Sequence, residues 1–368
     1  MSFEIENGQL AIVNFPCLWY NEEMNKTINA FDILTCGSIT LDTFVEPNEM
    51  DIVKKEGEED AMAFEIGQKI RMRTIARHVG GGAANTAVGF SKMGFKTVCL
   101  GTIGKDDHGD FIQHQLKSAK VETKFLNIQK DAPSSASIIF MTPDGRRTVF
   151  NERTTHGKFE HFPHGIPYTK ALYIGHLDEV ETEIFDHLQT WKEKNPQSII
   201  AWNPGKTQFS LGLNHFKSIL HLVDLLILNV EEAELFVKKQ AKEMPTSALK
   251  TKPLFPTHRI TIADVRTHAQ MFLEADVKNV FITDGIGGAQ YFGVDGMHLY
   301  LPAYENVPSI STLGAGDSFS VGVLSAFLQG EDSATQLLWG SANASSVIQQ
   351  FGAQEGQLTL ADMKNITY

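Results

Sequence analysis

Short apolar runs bounded by glycine and polar turns alternate along the chain with longer stretches of helical periodicity. Phe31-Asp-Ile-Leu-Thr-Cys-Gly37 reads as a buried strand that ends in a glycine turn. Ala171 to Ile174, Ser198 to Ala201, Leu225 to Leu228 and Val280 to Thr283 repeat the pattern, each followed by a helical stretch. Strands with no polar face must be covered on both sides, so the alternation predicts a mostly parallel sheet between two layers of helices. A helix is predicted from Asn85 to Met93 with its stop at Gly94. Thr97 to Gly101 has strand character, and the next helix opens at Gly104-Lys-Asp-Asp-His-Gly109, a βαβ rhythm.

Other stretches break that rhythm. The opening through about Asn29 reads as irregular, and Glu46 to Glu59 is acidic and weakly apolar, as expected of a peripheral loop. Ala63 to Val79 alternates partially, which predicts strands that cover a site rather than join the central sheet. Ser137 to Met141 and Arg147 to Phe150 flank the turn Thr142-Pro-Asp-Gly145 and predict a hairpin, a second piece of such a cover. Lys238 to Pro256 is polar and proline-bearing, an excursion between helices.

Composition narrows the classes. With 368 residues, 42% hydrophobic and 21% charged, the chain has room for a large core and is neither disordered nor fibrous. Asp and Glu total 44 against 32 Lys and Arg, a net charge of −12 that disfavours nucleic acid as a partner but leaves a nucleoside triphosphate compatible, since local backbone donors and a metal ion can neutralise it. Cys17, Cys36 and Cys99 form no CxxC pair, so neither a disulfide scaffold nor a structural zinc site is expected. No basic-then-apolar leader and no run long enough to span a bilayer is seen, and the expectation is a cytoplasmic enzyme with no membrane partner.

Two glycine-rich turns carry the chemistry. Thr312-Leu-Gly-Ala-Gly-Asp-Ser-Phe319 precedes the small, apolar run Val321 to Phe327, the pattern of an anion-binding turn opening a buried helix with one carboxylate at its mouth. Asp317 is then positioned to take a proton from an alcohol aimed at a terminal phosphorus. Gly80-Gly-Gly-Ala-Ala-Asn-Thr-Ala87 enters a helix with almost no side-chain bulk, so something approaches closely there: another element of the protein, or a polar ligand held by backbone groups and Asn85.

These segments resemble the ribokinase-like, or PfkB, family of carbohydrate kinases. GGGAANTA with the later GTIGKDDHG, and GAGDSF in Ser311 to Phe327, carry the resemblance; Asn229-Val-Glu-Glu232 matches the intermediate NxxE element and Thr283-Asp-Gly-Ile-Gly-Gly288 the nucleotide-side glycine turn. The resemblance implies a three-layer, Rossmann-like α/β core over residues 31–356 with a small β-sheet lid, drawn from about 39–79 and 135–153, and residues 1–30 as an extension or edge element. It implies ATP-dependent phosphorylation of a hydroxyl on a sugar or related polyol. Asp317 would be the general base, with the N–H groups of Gly314, Ala315 and Gly316 stabilising the transferring phosphoryl group.

By the same resemblance Asp42, Gly81, Gly82 and Asn85 hold acceptor hydroxyls, with Asp178 as an additional contact. Asn229 and Glu232 organise Mg2+, Glu232 through water, and the nucleotide phosphates. Thr283, Gly285, Gly287 and Gly288 border ATP, and Asn343 borders the adenine. Ser311 stands where the family often has an aspartate and Leu313 where threonine is common, which leaves a K+ requirement open. A nucleoside kinase acting on an adenosine-like acceptor, or a non-catalytic sugar-binding or regulatory protein, would use the same diol contacts. Arg146, Arg147 and Arg153 surround the hairpin, where a solvated turn competes with recognition of an acidic substituent. A dinucleotide oxidoreductase fits poorly, for GGGAANTA lacks the usual strand-linked fingerprint. A homodimer through the lid edges is expected from their open hydrogen-bonding groups.

Overall fold

The computed structural model describes residues 3–6, 9–12, 31–54, 60–142, 146–154, 159, 162, 165–166, 168–178, 181–241 and 262–366. An eight-stranded sheet forms its centre, in the order His298–Leu301, Ala289–Gly293, Asn279–Thr283, Leu225–Asn229, Ile199–Trp202, Ala171–Ile174, Ile33–Cys36, Thr97–Leu100. From Asn279–Thr283 onward all neighbours are parallel, and the first two strands join antiparallel. Successive strand residues go to opposite faces. Leu34, Leu172, Ile200, Leu226 and Val280 enter one core, and Ile33, Ala171, Ala201, Leu225 and Phe281 the other. Both faces are therefore apolar, and helices cover each. Trp202, wholly buried, packs against Phe185 and Phe216 on the first side. Phe319 packs edge-on to Phe281 on the second.

Ile33–Cys36 has its sequence successors on both sides, so the chain's direction of winding reverses there. Such a switch point opens a crevice beyond the carboxyl ends of the strands, the usual ligand position in open α/β sheets. The crevice receives Gly37 and Ser38, the helix Gly82–Lys92, and Gly175 after Ala171–Ile174.

A second, four-stranded sheet forms the lid, ordered Arg147–Glu152, Ala136–Met141, Thr40–Pro47, Met72–Gly80. Ala136–Met141 and Thr40–Pro47 run parallel while the outer pairs are antiparallel. Alternation gives the sheet an inner face, where Phe44, Ile139 and Met141 pack with Leu313 of the loop before the helix Ala315–Leu328, and an outer face, where Ile138 and Phe150 are exposed.

Several expectations change. The opening is not wholly irregular, since Phe3–Glu6 and Gln9–Ile12 pair as a hairpin. Asp51–Val53 and Ala61–Ala63 also pair, so part of the acidic stretch is an exposed hairpin rather than a loop. The turn at 143–145, most of 238–256 and Cys17 lie outside the described residues. Cys36 and Cys99 are free, buried thiols, and burial pushes the Cys99 thiol up to about 12. Among the described residues no helix is long and apolar enough to cross a membrane.

Candidate active site

The turn at 312–314 opens the helix Ala315–Leu328, which is lined with small residues so that it can sink into the core. At Gly322 a Cβ would overlap the Trp339 carbonyl, so only glycine lets this helix cross Ser333–Val347 so closely. Gly314 precedes the helix in the left-handed region, φ 76°, and a Cβ there would overlap Ala353. No side chain caps the helix, and Ala315 N–H makes only a long 3.4 Å bond to the Thr312 carbonyl. The space beside Gly316 is open. First-turn N–H groups without a side-chain cap, next to open space, form an anion pocket aided by the helix field.

Asp317 projects from this first turn. It is partly accessible at the floor of the crevice yet ringed by protein, and loss of water holds its carboxyl above the usual range, opposed by Asn85 Nδ2–H, which donates to Oδ2 at 2.8 Å. Asn85 itself is buried on the helix Gly82–Lys92. A Cβ on Gly82 would sit 3.5 Å from Asp317 Oδ1 and 3.7 Å from the His176 backbone nitrogen. A side chain at 82 would thus fill the space that the carboxylate faces, and glycine keeps it clear.

Gly81, φ 90°, lies so close to the Ser38 carbonyl that a Cβ would overlap it. The Gly80 Cβ space is taken by the Asp42 carboxylate. Asp42 is buried, accepts from Thr40 Oγ at 3.0 Å, and has its pKa raised by burial against the pull of Thr40, Ser137 and His78. The glycine run therefore meets close approach by the protein at Gly80 and Gly81, and leaves space beside Asp317 at Gly82.

Asn229 and Glu232 meet across a helix start. Asn229 N–H donates to Glu232 Oε2 at 2.9 Å, and Glu232 N–H to Asn229 Oδ1 at 2.8 Å, a reciprocal capping arrangement. Burial and then the charges of Asp317 and Glu231 push the Glu232 carboxyl up to about 7, against the Asn229 N–H bond. A carboxylate that its surroundings disfavour as an anion is one whose charge a divalent cation would relieve, so the donor chemistry fits magnesium held with its waters.

Asp178 exchanges bonds with Glu181 at 2.8 and 3.0 Å and lines a small cavity with Ser38, Ser135, Arg153 and Thr40, the residue that donates to Asp42. Desolvation and Asp178 raise Glu181 to about 8, and burial followed by Arg153 lowers His176 to about 4. Thr283 ends the strand Asn279–Thr283, and Gly285 faces open space at φ 49°. Gly287 and Gly288 answer internal demands, for their Cβ atoms would strike Asp284 and the Leu301 carbonyl.

Asn343 is engaged within the protein. It is fully buried and donates to the Ser318 carbonyl at 2.8 Å and Gln357 Oε1 at 2.7 Å while accepting from Leu358 N–H at 2.9 Å. It ties two helices to the C-terminal segment. Ser311 is buried, and its hydroxyl accepts from Leu313 N–H at 3.2 Å, so the position that would carry a carboxylate toward a monovalent cation instead closes the turn on itself.

Three features escaped the sequence. Arg147, half-buried on the lid, donates to Thr312 Oγ at 2.9 Å and joins lid to catalytic loop, where the sequence shows it only as a neighbour of the hairpin turn. His78 pairs with Glu355 at 2.7 Å, and Gln354 donates to Asn85 Oδ1 at 3.2 Å. The small-residue segment Gly352-Ala-Gln-Glu-Gly356 carried the only sequence signal for the latter two.

An α/β core with a small β lid, a glycine turn feeding an uncapped helix, and one desolvated carboxylate at its mouth define a small-molecule kinase architecture. The chain belongs to the pfkB family of carbohydrate kinases, whose profile matches residues 51–360. It is 23% identical over 354 residues to the 5-dehydro-2-deoxygluconokinase of Bacillus licheniformis, covering 88% of this chain and 98% of the relative. The nucleoside kinase of Methanocaldococcus jannaschii superposes with a TM-score of 0.67 at 21% identity, over 90% of this chain and 97% of that one. Arabidopsis thaliana ribokinase, solved with ribose and ATP, gives 0.66 at 18% identity, over 92% and 100%.

Proposed function

We propose that the protein transfers the terminal phosphoryl group of ATP to a hydroxyl of a small, polyhydroxylated acceptor, a sugar or a nucleoside. The single observation that carries this is Asp317 at the mouth of an uncapped helix, held by Asn85 and facing space that Gly82 keeps clear. In this reading Asp317 removes the acceptor's hydroxyl proton as the oxygen–phosphorus bond forms, and the bond from the terminal phosphorus to ADP breaks in line. The N–H groups of Gly314, Ala315 and Gly316 receive the charge that develops on the phosphoryl oxygens. Asp42 and Asn85 read the acceptor's hydroxyls. Asn229 and Glu232 hold the hydrated magnesium, which supplies charge neutralisation at the phosphates. The lid excludes water that would compete as acceptor.

Between the two acceptor classes the nucleoside is better supported. The similarity to the nucleoside kinase of Methanocaldococcus jannaschii in both sequence and fold supports that preference. The free-sugar reading draws on the family's carbohydrate kinases and on the 5-dehydro-2-deoxygluconokinase relative.

The test is a phosphorylation screen with Mg2+ and ATP across nucleosides, sugars and polyols, read by mass spectrometry with Asp317→Asn as control. A phosphorylated nucleoside made only by the parent protein is expected. A phosphorylated sugar would select the second reading. Binding of an acceptor with no product from any nucleotide would overturn catalysis in favour of a binding protein.

A further inference from the structure

The floor of the site contains an amide whose orientation chemistry alone does not fix. Asn85 can present either its NH2 or its oxygen to Asp317, and only the first stabilises a carboxylate able to act as a base. In the structure the NH2 faces Asp317 Oδ2 at 2.8 Å, and the oxygen faces the opposite way, toward Gln354.

Gln354 lies on the segment that follows the last long helix, 269 residues along the chain from Asn85. Its Nε2 donates to two acceptors, the Val79 carbonyl at 2.6 Å and Asn85 Oδ1 at 3.2 Å. A backbone carbonyl and a carboxylate can only accept. With Val79 O at one end of the chain of groups and Asp317 at the other, one arrangement satisfies every member: Gln354 gives NH2 to Val79 and Asn85, and Asn85 gives NH2 to Asp317. Turning either amide over would set oxygen against oxygen. The segment itself is anchored on both sides of Gln354, for Lys92 Nζ donates to the Gln354 carbonyl at 2.7 Å and Glu355 pairs with His78 of the lid strand.

We infer that Gln354 is a positioning residue for the proposed base: its side-chain amide fixes the orientation of Asn85, and through it the hydrogen bond that keeps Asp317 a carboxylate. The inference deepens the kinase reading and rests on it for its catalytic consequence. The hydrogen-bonding consequence stands without turnover. The ionisable groups electrostatically coupled to Asp317 from the packed elements are Glu232 and the neutral Tyr173 phenol, with Lys92, His78 and Glu355 behind Gln354.

Gln354→Met keeps the length of the side chain and removes the donor. Asn85 is then free to turn, and the mean stabilisation of the Asp317 anion falls. The acid limb of kcat moves to higher pH by about one unit, while kcat on the plateau stays within about threefold, since loss of one hydrogen bond to a charge corresponds to roughly this shift. Gln354→Glu, which offers acceptors where a donor stood, draws the Asn85 NH2 away from Asp317 and moves the limb at least as far. A structural role alone would lower kcat equally at every pH and leave the limb in place.

The same shift is read without activity from the side-chain carboxyl carbon-13 titration of Asp317, assigned with Asp317→Asn. An upward move in Gln354→Met supports the inference even if the parent turns over no acceptor, an outcome that would sink the kinase reading alone. Coincident Asp317 titrations in the parent and both folded variants, with melting curves to establish folding, overturn the inference whatever the activity.

Discussion

Replacing Asp317 by Asn tests the centre of the proposed mechanism with little disturbance of shape. The side chain keeps its volume, and its amide oxygen can still accept from Asn85 Nδ2, the 2.8 Å contact of the parent. The helix N-terminus loses a negative charge but retains its N–H groups. What disappears is the ability to take a proton. General-base catalysis contributes about 10²–10⁴ in rate, so a thousandfold fall in kcat, ~4 kcal/mol, is the expected central value. The KM for ATP should stay within about threefold, since the anion pocket is built from backbone groups. Steady-state kinetics with ATP and acceptor varied separately, on protein purified away from host kinases, gives the answer. A variant with kcat within tenfold of the parent would refute the reasoning, because the carboxylate that borders the cleared space at Gly82 is that of Asp317.

The same substitution carries a stability signature of opposite sign. Burial raises the folded-state pKa of Asp317 above its unfolded value. The folded protein therefore binds the proton more tightly, and stability is lost as pH rises through the window between the two values. Asn removes that loss. Melting temperatures of Asp317→Asn should match the parent at low pH and equal or exceed it near neutrality, so a less active protein would be the more stable one.

Asn85→Ala removes a hydrogen bond to a charge and an acceptor contact together, and should reduce kcat/KM for the acceptor about 10–100-fold, with ATP KM nearly unchanged; equal losses for both substrates would move Asn85 out of the acceptor shell. Gly81→Ala combines positive φ with overlap of the Ser38 carbonyl, whereas Gly94→Ala, also at φ 90° but facing open space, carries only the first burden. Urea denaturation should show about 1 kcal/mol lost at Gly94 and at least ~2 kcal/mol more at Gly81, and equal losses would mean the backbone yields freely at 81. For the lid latch, the Glu355 bond raises His78 above its ordinary 6.5, and His78 helps, against burial, to hold Glu355 below 4.5. Stabilisation from His78 is present below its unfolded pKa and lost as pH rises through the folded one; that from Glu355 is lost as pH falls through its depressed value. Glu355→Gln should therefore lower the melting temperature most between these limits and little at high pH, and parallel melting curves would dismiss the latch.

The parallel strands were legible because each is buried on both faces and so appears as an unbroken apolar run, as at Ala171–Ile174 and Leu225–Asn229. The antiparallel edge Ala289–Gly293 and His298–Leu301 was not, because these short runs follow a glycine turn whose pattern points to a ligand instead. Spacing also served two purposes at once. The three-residue interval from Asn229 to Glu232 that matches a nucleotide element is equally the interval of a helix cap, and the structure uses it so. Asn343's hydrogen bonds to Ser318, Gln357 and Leu358 were not legible, since helical periodicity tells that a position faces inward, not which groups it meets there. Gln354 was invisible for a different reason: its meaning depends on Val79 and Asn85, brought to it only by the closed fold.

What the fold adds to the motifs is electrostatic tension on one floor. Asp317 and Glu232 each raise the pKa of the buried Tyr173 phenol, and Asp317 also raises that of Glu232, so these acidic groups oppose one another's ionisation in the protein alone. The Asn85 donor and the Asn229 N–H are the local counterweights, each a single hydrogen bond. A cation arriving with the nucleotide would act on Glu232 directly and, through the charge coupling, ease the ionisation of Asp317 as well. In the proposed mechanism, nucleotide binding and readiness of the base would then be linked through charge. On this argument the capping of Glu232 is no distraction from its functional role: it holds a carboxylate in position where an anion is otherwise unfavourable, so that a cation can meet it there.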